Sequence, residues 1–310
     1  MTMTELTKLA PFRLAPYFSE RIWGKKSLEP WYASTGTTEL VGEAWLTGPA
    51  SVIETGELAG KTLAEAIRED ADAVIGPKGD REFPLLVKIL FPNEKLSVQV
   101  HPDDVQAQAI GQPRGKTECW YVLEAEPGAS VMLGLTPGAG PDQVRAAVAG
   151  GTMEQLMQHV PVAVGDMVFV DAGTVHAIAP GVTLLETQQT SDTTYRLYDY
   201  GRPRELHVEQ SLGVMKTTTK AGKIAPHAMD GFTRLIDEQY FSVDRFDLAG
   251  GSLEVAMESV GCLVGLKGTG SVDGVEFKAG QAVIVPLGLG KVQVEAKADF
   301  AFARCLSPVS

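Results

Sequence analysis

The sequence predicts a mainly β protein built from two barrel-like blocks. Three observations point there: short β-rich runs at even spacing, turn residues between them, and one strand-turn-strand phrase that occurs twice. The runs are LLVKILF (85–91), LSVQVH (96–101), ECWYVLEA (118–125), DMVFVDA (166–172) and VTLLETQQ (182–189). The 33 glycines and 18 prolines fall mostly between such runs, where turns need them. The repeated phrase is GDMVFVDAGTVH (165–176), which aligns without a gap with GQAVIVPLGLGK (280–291).

Helix signals are few. Thr62 and Glu65 form a T-x-x-E capping box ahead of LAEAIREDADAVI (63–75), and Gly76 and Pro77 close it. A second helical stretch is expected over 141–160, divided into two short helices by Gly150 and Gly151. The predicted organisation is a first block over 1–216 with helical insertions near 62–75 and 141–160, an irregular connection over 217–239, and a second β block over 240–310.

Composition narrows the function classes. The chain has 310 residues, 44% of them hydrophobic, enough for one large core or two modest ones. A formal charge of −12 without any basic run argues against nucleic acid or an anionic membrane as the main partner. The N-terminal residues lack the pattern of a secretory signal, and no apolar run approaches the roughly 20 residues of a membrane helix, so a cytoplasmic location is expected. Cys119, Cys262 and Cys305 are widely spaced with no CxxC pair and read as buried thiols. Nothing in the sequence marks a dimer interface.

One constellation carries chemistry. Gln99 and His101 alternate along a strand-like run, so both side chains fall on one face. Glu118 opens the next run, and His176 follows a turn at Gly173. Two imidazoles, a carboxylate and an amide oxygen form a mixed set suited to zinc, with iron, manganese or cobalt as alternatives. The chain has only five histidines, and these two both fall inside β-hairpin phrases. His159, His207 and His227 read as structural or surface residues.

The phrase ending in His176 resembles the second motif of the cupin superfamily, with Asp171 in its proline position. The first motif departs from the common form: Gln99 stands where a histidine is usual, and Glu118 follows a longer loop over 102–117. Within that superfamily the chain resembles the type I mannose-6-phosphate isomerases of the short bacterial branch. The residues that carry this are RIWG (21–24), GEAWLTG (42–48), FPLLVKILFPNEKLSVQVHPDD (83–104), GKTECWYVLEAEPGA (115–129) and HAIAPGVTLLETQQTSDTTYRLYDYGR (176–202).

The resemblance implies a cupin-type β-barrel (jelly roll) followed by a second, degenerate cupin-like domain, and a small sugar phosphate as partner. It implies one Zn(2+) ion held by Gln99, His101, Glu118 and His176, with Arg196, Lys116 and Glu186 lining the pocket. Lys291 stands where the second block would need a ligand histidine, so one metal site is expected.

Aldose–ketose isomerisation moves a proton between C1 and C2 through an enediol while negative charge builds on oxygen. A divalent ion and an arginine such as Arg196 suit that charge. Glu186, Lys116 and a metal-bound water are the candidate proton carriers, and Lys116 would need a depressed pKa to act as a base. Ser97, Arg202 and Arg204 are candidate phosphate contacts, and Trp23 and Trp45 either wall the sugar pocket or pack the core. The competing readings are another cupin enzyme, such as an epimerase or a dioxygenase, and a non-catalytic sugar-phosphate-binding regulator.

Overall fold

The computed structural model describes residues 9–77 and 81–308. Three antiparallel sheets stack in layers. The middle layer has seven strands in the order Gly222–Ile224, Met167–Val170, Glu118–Ala125, Val182–Gln189, Leu85–Leu90, Val41–Trp45 and Tyr17–Lys25. On one side it faces a five-stranded sheet ordered Tyr195–Tyr198, Val98–Val100, His176–Ile178, Ser130–Leu135 and Met157–Pro161. These two sheets form the first barrel, closed by a core that includes Leu90, Trp120, Val122, Val131, Leu133, Val168 and Leu184.

The other side of the middle sheet packs on a nine-stranded sheet, which contains the long strands Ser242–Ala256 and Lys291–Leu306 and makes up the second barrel. Val87, Ile89, Cys119 and Phe169 meet Val243, Cys262, Ile284 and Cys305 across that interface. Every residue of Leu85–Leu90 and Val182–Gln189 is therefore buried, which explains why these strands read as runs and not as alternating patterns. The N-terminal strand Phe12–Leu14 pairs with Ala282–Val285, tying the start of the chain to the second barrel.

The capping box forms as the sequence predicts. The Thr62 hydroxyl accepts the Glu65 amide, and the Glu65 carboxylate accepts the Thr62 amide. In place of one helix over 63–75 there are two: Leu63–Glu69 stops at Asp70, whose side chain accepts the Ala73 amide and so caps a second helix, Ala71–Ile75. The outer face of the five-stranded sheet is covered by Pro141–Ala149 and Val208–Val214.

Two further expectations are corrected. Beyond Gly150 and Gly151 the chain forms a 3-10 turn, Met153–Leu156, and then the strand Met157–Pro161, not a second α-helix. Gly151 takes φ +70°, which ends the helix, and the backbone beyond it is claimed by pairing with Ser130–Leu135. The segment 217–239 is also less irregular than expected, holding Gly222–Ile224, His227–Ala228 and Thr233–Asp237. The first two lie at sheet edges, where backbone hydrogen bonds and not apolar side chains hold a strand, so hydropathy gives no signal for them.

Candidate metal centre

Register brings the predicted ligands together. His176 pairs directly with Gln99, and Gln99 pairs on its other side with Arg196, so the three side chains stand in one row on the inner face of the five-stranded sheet. Glu118 faces them from the middle sheet, and ligand atoms of His101, Glu118 and His176 all lie within 4.8 Å of one another. Gly173 allows the turn before His176: its φ is +90°, and a Cβ there would stand 2.7 Å from the Lys216 side chain.

Both imidazoles are oriented from behind. His101 Nδ1 donates to the Thr193 carbonyl and His176 Nδ1 to the Thr174 carbonyl, each at 2.9 Å. This leaves both Nε2 atoms as lone pairs pointing inward. His176 Nε2 lies 3.2 Å from Glu118 Oε1 and 3.2 Å from the Gln99 amide, and His101 Nε2 lies 3.8 Å from Glu118 Oε2. Burial pushes the His176 imidazole down to about 4 and, reinforced by Lys116, holds His101 well below its usual range, so both rings are neutral donors.

The wholly buried Glu118 has one close cation, Lys116 Nζ, 2.9 Å from Oε2, while its Oε1 faces the His176 ring. Lys116 Nζ thus meets one side of this group, where it also lies 3.2 Å from His101 Nε2. On the other side the His176 Nε2 lone pair faces Glu118 Oε1 at 3.2 Å with no cation between them, a repulsion that a divalent ion would relieve. The donor set therefore fits a divalent metal.

Lys116 differs from one expectation. A lysine serving as base needs a lowered pKa, but the opposite direction is found: burial pushes it down, and Glu118 and Glu186 together overcome this and raise it. Without a bound ion, these two carboxylates hold Lys116 in its ammonium form.

Glu186 lies two residues from Gln188, the cross-strand partner of Glu118, and so shares the inner face with Glu118. Its carboxylate accepts Trp120 Nε1 at 3.2 Å and faces Lys88 Nζ at 3.3 Å. The Trp120 ring stands edge-on to His176, 5.5 Å between centroids. Lys88 continues to Glu43 at 3.9 Å, and Glu43 is held by Arg21 at 3.0 Å and by Trp45 Nε1 at 2.6 Å. Charges of alternating sign thus run from the half-buried Arg21 to the carboxylate of Glu186. The sequence reading assigned no role to Lys88, Glu43 or Arg21, although a lone lysine in the apolar run LLVKILF was the available signal.

The candidate phosphate contacts differ among themselves. Arg204 is spent in a fork to the buried Asp199, both bonds 2.7 Å. Arg202 lies over the Tyr200 ring and donates through Nη2 to the Lys95 carbonyl, while its buried Nη1 has no hydrogen-bond partner and stands 3.8 Å from Asp199. Arg196 donates to the Glu205 carbonyl at 2.9 Å and leaves a buried Nε without a partner. Ser97 is buried immediately before the Gln99 strand. Trp23 packs in the first barrel's core, while Trp45 sits over Lys88, 4.9 Å from the ring centroid.

A barrel of two facing sheets with a His/Glu/His group that could hold a metal between them defines a cupin-type protein. Comparison with known proteins narrows this. Residues 11–131 match the family model "Phosphomannose isomerase type I, catalytic domain". The chain is 34% identical over 308 residues to mannose-6-phosphate isomerase ManA of Bacillus subtilis, covering 93% of this chain and 97% of that protein. It is 37% identical over 254 residues to the mannose-6-phosphate isomerase of Streptococcus mutans, covering 77% and 79%. A crystal structure of the Bacillus subtilis mannose 6-phosphate isomerase superposes with a TM-score of 0.84 at 30% identity, covering 95% of this chain and 99% of that one. The chain belongs to the type I phosphomannose isomerase family.

Proposed function

We propose that this protein is a mannose-6-phosphate isomerase that interconverts mannose 6-phosphate and fructose 6-phosphate through an enediol, using one zinc ion held by Gln99, His101, Glu118 and His176. The observation that carries the reading is the convergence of two neutral imidazoles and a wholly buried carboxylate beside the Lys116 ammonium. When bound, the ion supplies Lewis acidity toward sugar oxygens.

The chain's own residues account for the rest. Glu186 takes the proton from one of the two adjacent carbons and returns it to the other while the hydroxyl proton passes between their oxygens, with Trp120 and Lys88 orienting the Glu186 carboxylate. Lys116 and Arg196 face the oxygen on which negative charge develops; Arg196 has an uncommitted Nε to offer, and its forked guanidinium suits an oxyanion. Arg202 and Ser97 are the phosphate contacts the geometry favours, since the fork of Arg204 is already filled by Asp199 and serves to hold the loop.

In this reading residues 1–216 carry the catalytic domain, 217–239 connect, and 240–310 form a cupin-like domain without ligands. We place the protein in the cytoplasm: its three cysteines are free, and no described helix is long and apolar enough to cross a membrane.

The test follows fructose 6-phosphate formation from mannose 6-phosphate before chelation, after it, and after zinc is restored, with His101→Ala alongside. Activity that chelation removes, zinc restores and the variant lacks is the expected result. A metal-loaded protein without turnover would discard the isomerase reading.

A further inference from the structure

Among the described residues the grouped ligand-type side chains lie in the first barrel, yet one residue at the edge of the second is bonded to the loop that carries Lys116. Tyr240 lies in the turn between Thr233–Asp237 and Ser242–Ala256, and its hydroxyl donates to Asp104 Oδ2 at 2.8 Å. The other oxygen, Asp104 Oδ1, accepts the Gly115 amide at 2.8 Å and the Gln189 side-chain amide at 3.0 Å. Gln189 in turn accepts the Thr117 amide through Oε1 at 2.9 Å. The backbone amides on either side of Lys116 are thus held by two side chains that meet at Asp104, while the Lys116 amide itself donates to the Pro102 carbonyl at 3.0 Å.

The loop is also closely fitted. A Cβ on Gly115 would stand 2.5 Å from the carbonyl carbon of Asp103, the N-cap of the helix Asp104–Ala109, so loop and helix cannot shift independently. The end torsion of a carboxylate is broad, so a partner on each oxygen narrows the angle at which Asp104 meets the loop, and the tyrosine provides the second.

We propose that Tyr240 is a positioning residue for the isomerase reaction: it orients Asp104, which clamps the 115–117 loop and so keeps the Lys116 ammonium beside Glu118. The role of the second barrel is then to buttress a loop of the first. The proposal rests on the isomerase reading for its catalytic consequence and on the hydrogen bonds alone for the clamp.

The experiment uses full-length Tyr240→Phe, Asp104→Ala and the double variant. Hydrogen exchange across 112–118 is measured together with kcat and KM for mannose 6-phosphate. Loss of one such bond is expected to speed loop exchange and lower kcat by about fivefold in Tyr240→Phe, with KM held within about twofold and exchange in the second barrel's strands unaltered. On the Asp104→Ala background, Tyr240→Phe should add nothing, because its effect passes through Asp104. Unchanged loop exchange in Tyr240→Phe would overturn the proposal, as would a full effect persisting without Asp104 or a rise in exchange across the whole chain. Wild-type protein inactive on mannose 6-phosphate, with a loop that still loosens in Tyr240→Phe, would sink the isomerase reading and support the clamp.

Discussion

Between the sheets of the first barrel lie His101, Lys116, Glu118, His176 and the Lys88–Glu186 pair; inside the second lie Phe246, Phe277, Phe300 and Phe302, packed ring on ring. Phe246 and Phe302 stack at 4.9 Å, and Phe277 meets Phe300 edge-on at 5.1 Å. The shared phrase ends in equivalent places: His176 opens a strand opposite Gln99, and Lys291 opens one opposite Ala256. His176 is wholly buried, whereas the Lys291 side chain is 65% exposed and pairs with Glu254 at 2.7 Å. A barrel becomes a site when a few inward positions carry polar groups that need a ligand, and a scaffold when aromatic rings fill the same space.

The largest effect that would sharpen this contrast is at the ligands. His176→Ala should strip the ion and lower turnover by at least about 10²-fold, whereas Lys291→His should leave metal content at one equivalent. Metal analysis of dialysed protein decides, and a second equivalent bound by Lys291→His would break the comparison. Next comes the packing of the second barrel. Phe302→Ala should cost about 3–5 kcal/mol in urea unfolding while the folded fraction keeps its metal; loss of metal under native conditions would show that the barrels are not separable in this sense.

Smaller is the expected effect of Trp45→Phe, which removes a donor from the buried Glu43 and should cost about 1–3 kcal/mol by the same measurement. Smallest is a pH effect at the helices between the barrels. The Thr62 amide and hydroxyl hold the Glu65 carboxyl below its usual range. A depressed folded value means that the capping box stabilises fully above the ordinary carboxylate range and loses this as pH falls through the folded value. The Tm gap between wild type and Glu65→Ala should therefore narrow on acidification; a constant gap would assign the effect to helix propensity.

Much of the site was legible because metal chemistry restricts residue types. His101, Glu118 and His176 could be picked out in sequence, and structure brings them together. The pKa direction of Lys116 was not legible, because it is decided by how far Glu118, and after it Glu186 from another strand, outweigh burial. Arg202 and Arg204 look equivalent in sequence, and only the fold shows that Asp199 occupies one of them.

The sequence by itself determined the β class, the helix start at Thr62 and the ligand residue types, because these depend on local conformational preference and on donor chemistry, whereas the strands of the repeated phrase pair with other strands and not as hairpins. Only the tertiary structure decided that Arg21, Glu43, Lys88 and Glu186 form one line of alternating charge, and that Tyr240 reaches Asp104 across 136 residues of chain. The physical reason is that strands buried on both faces carry no hydropathy record of which face looks into the site, and contacts between distant segments leave no periodic trace.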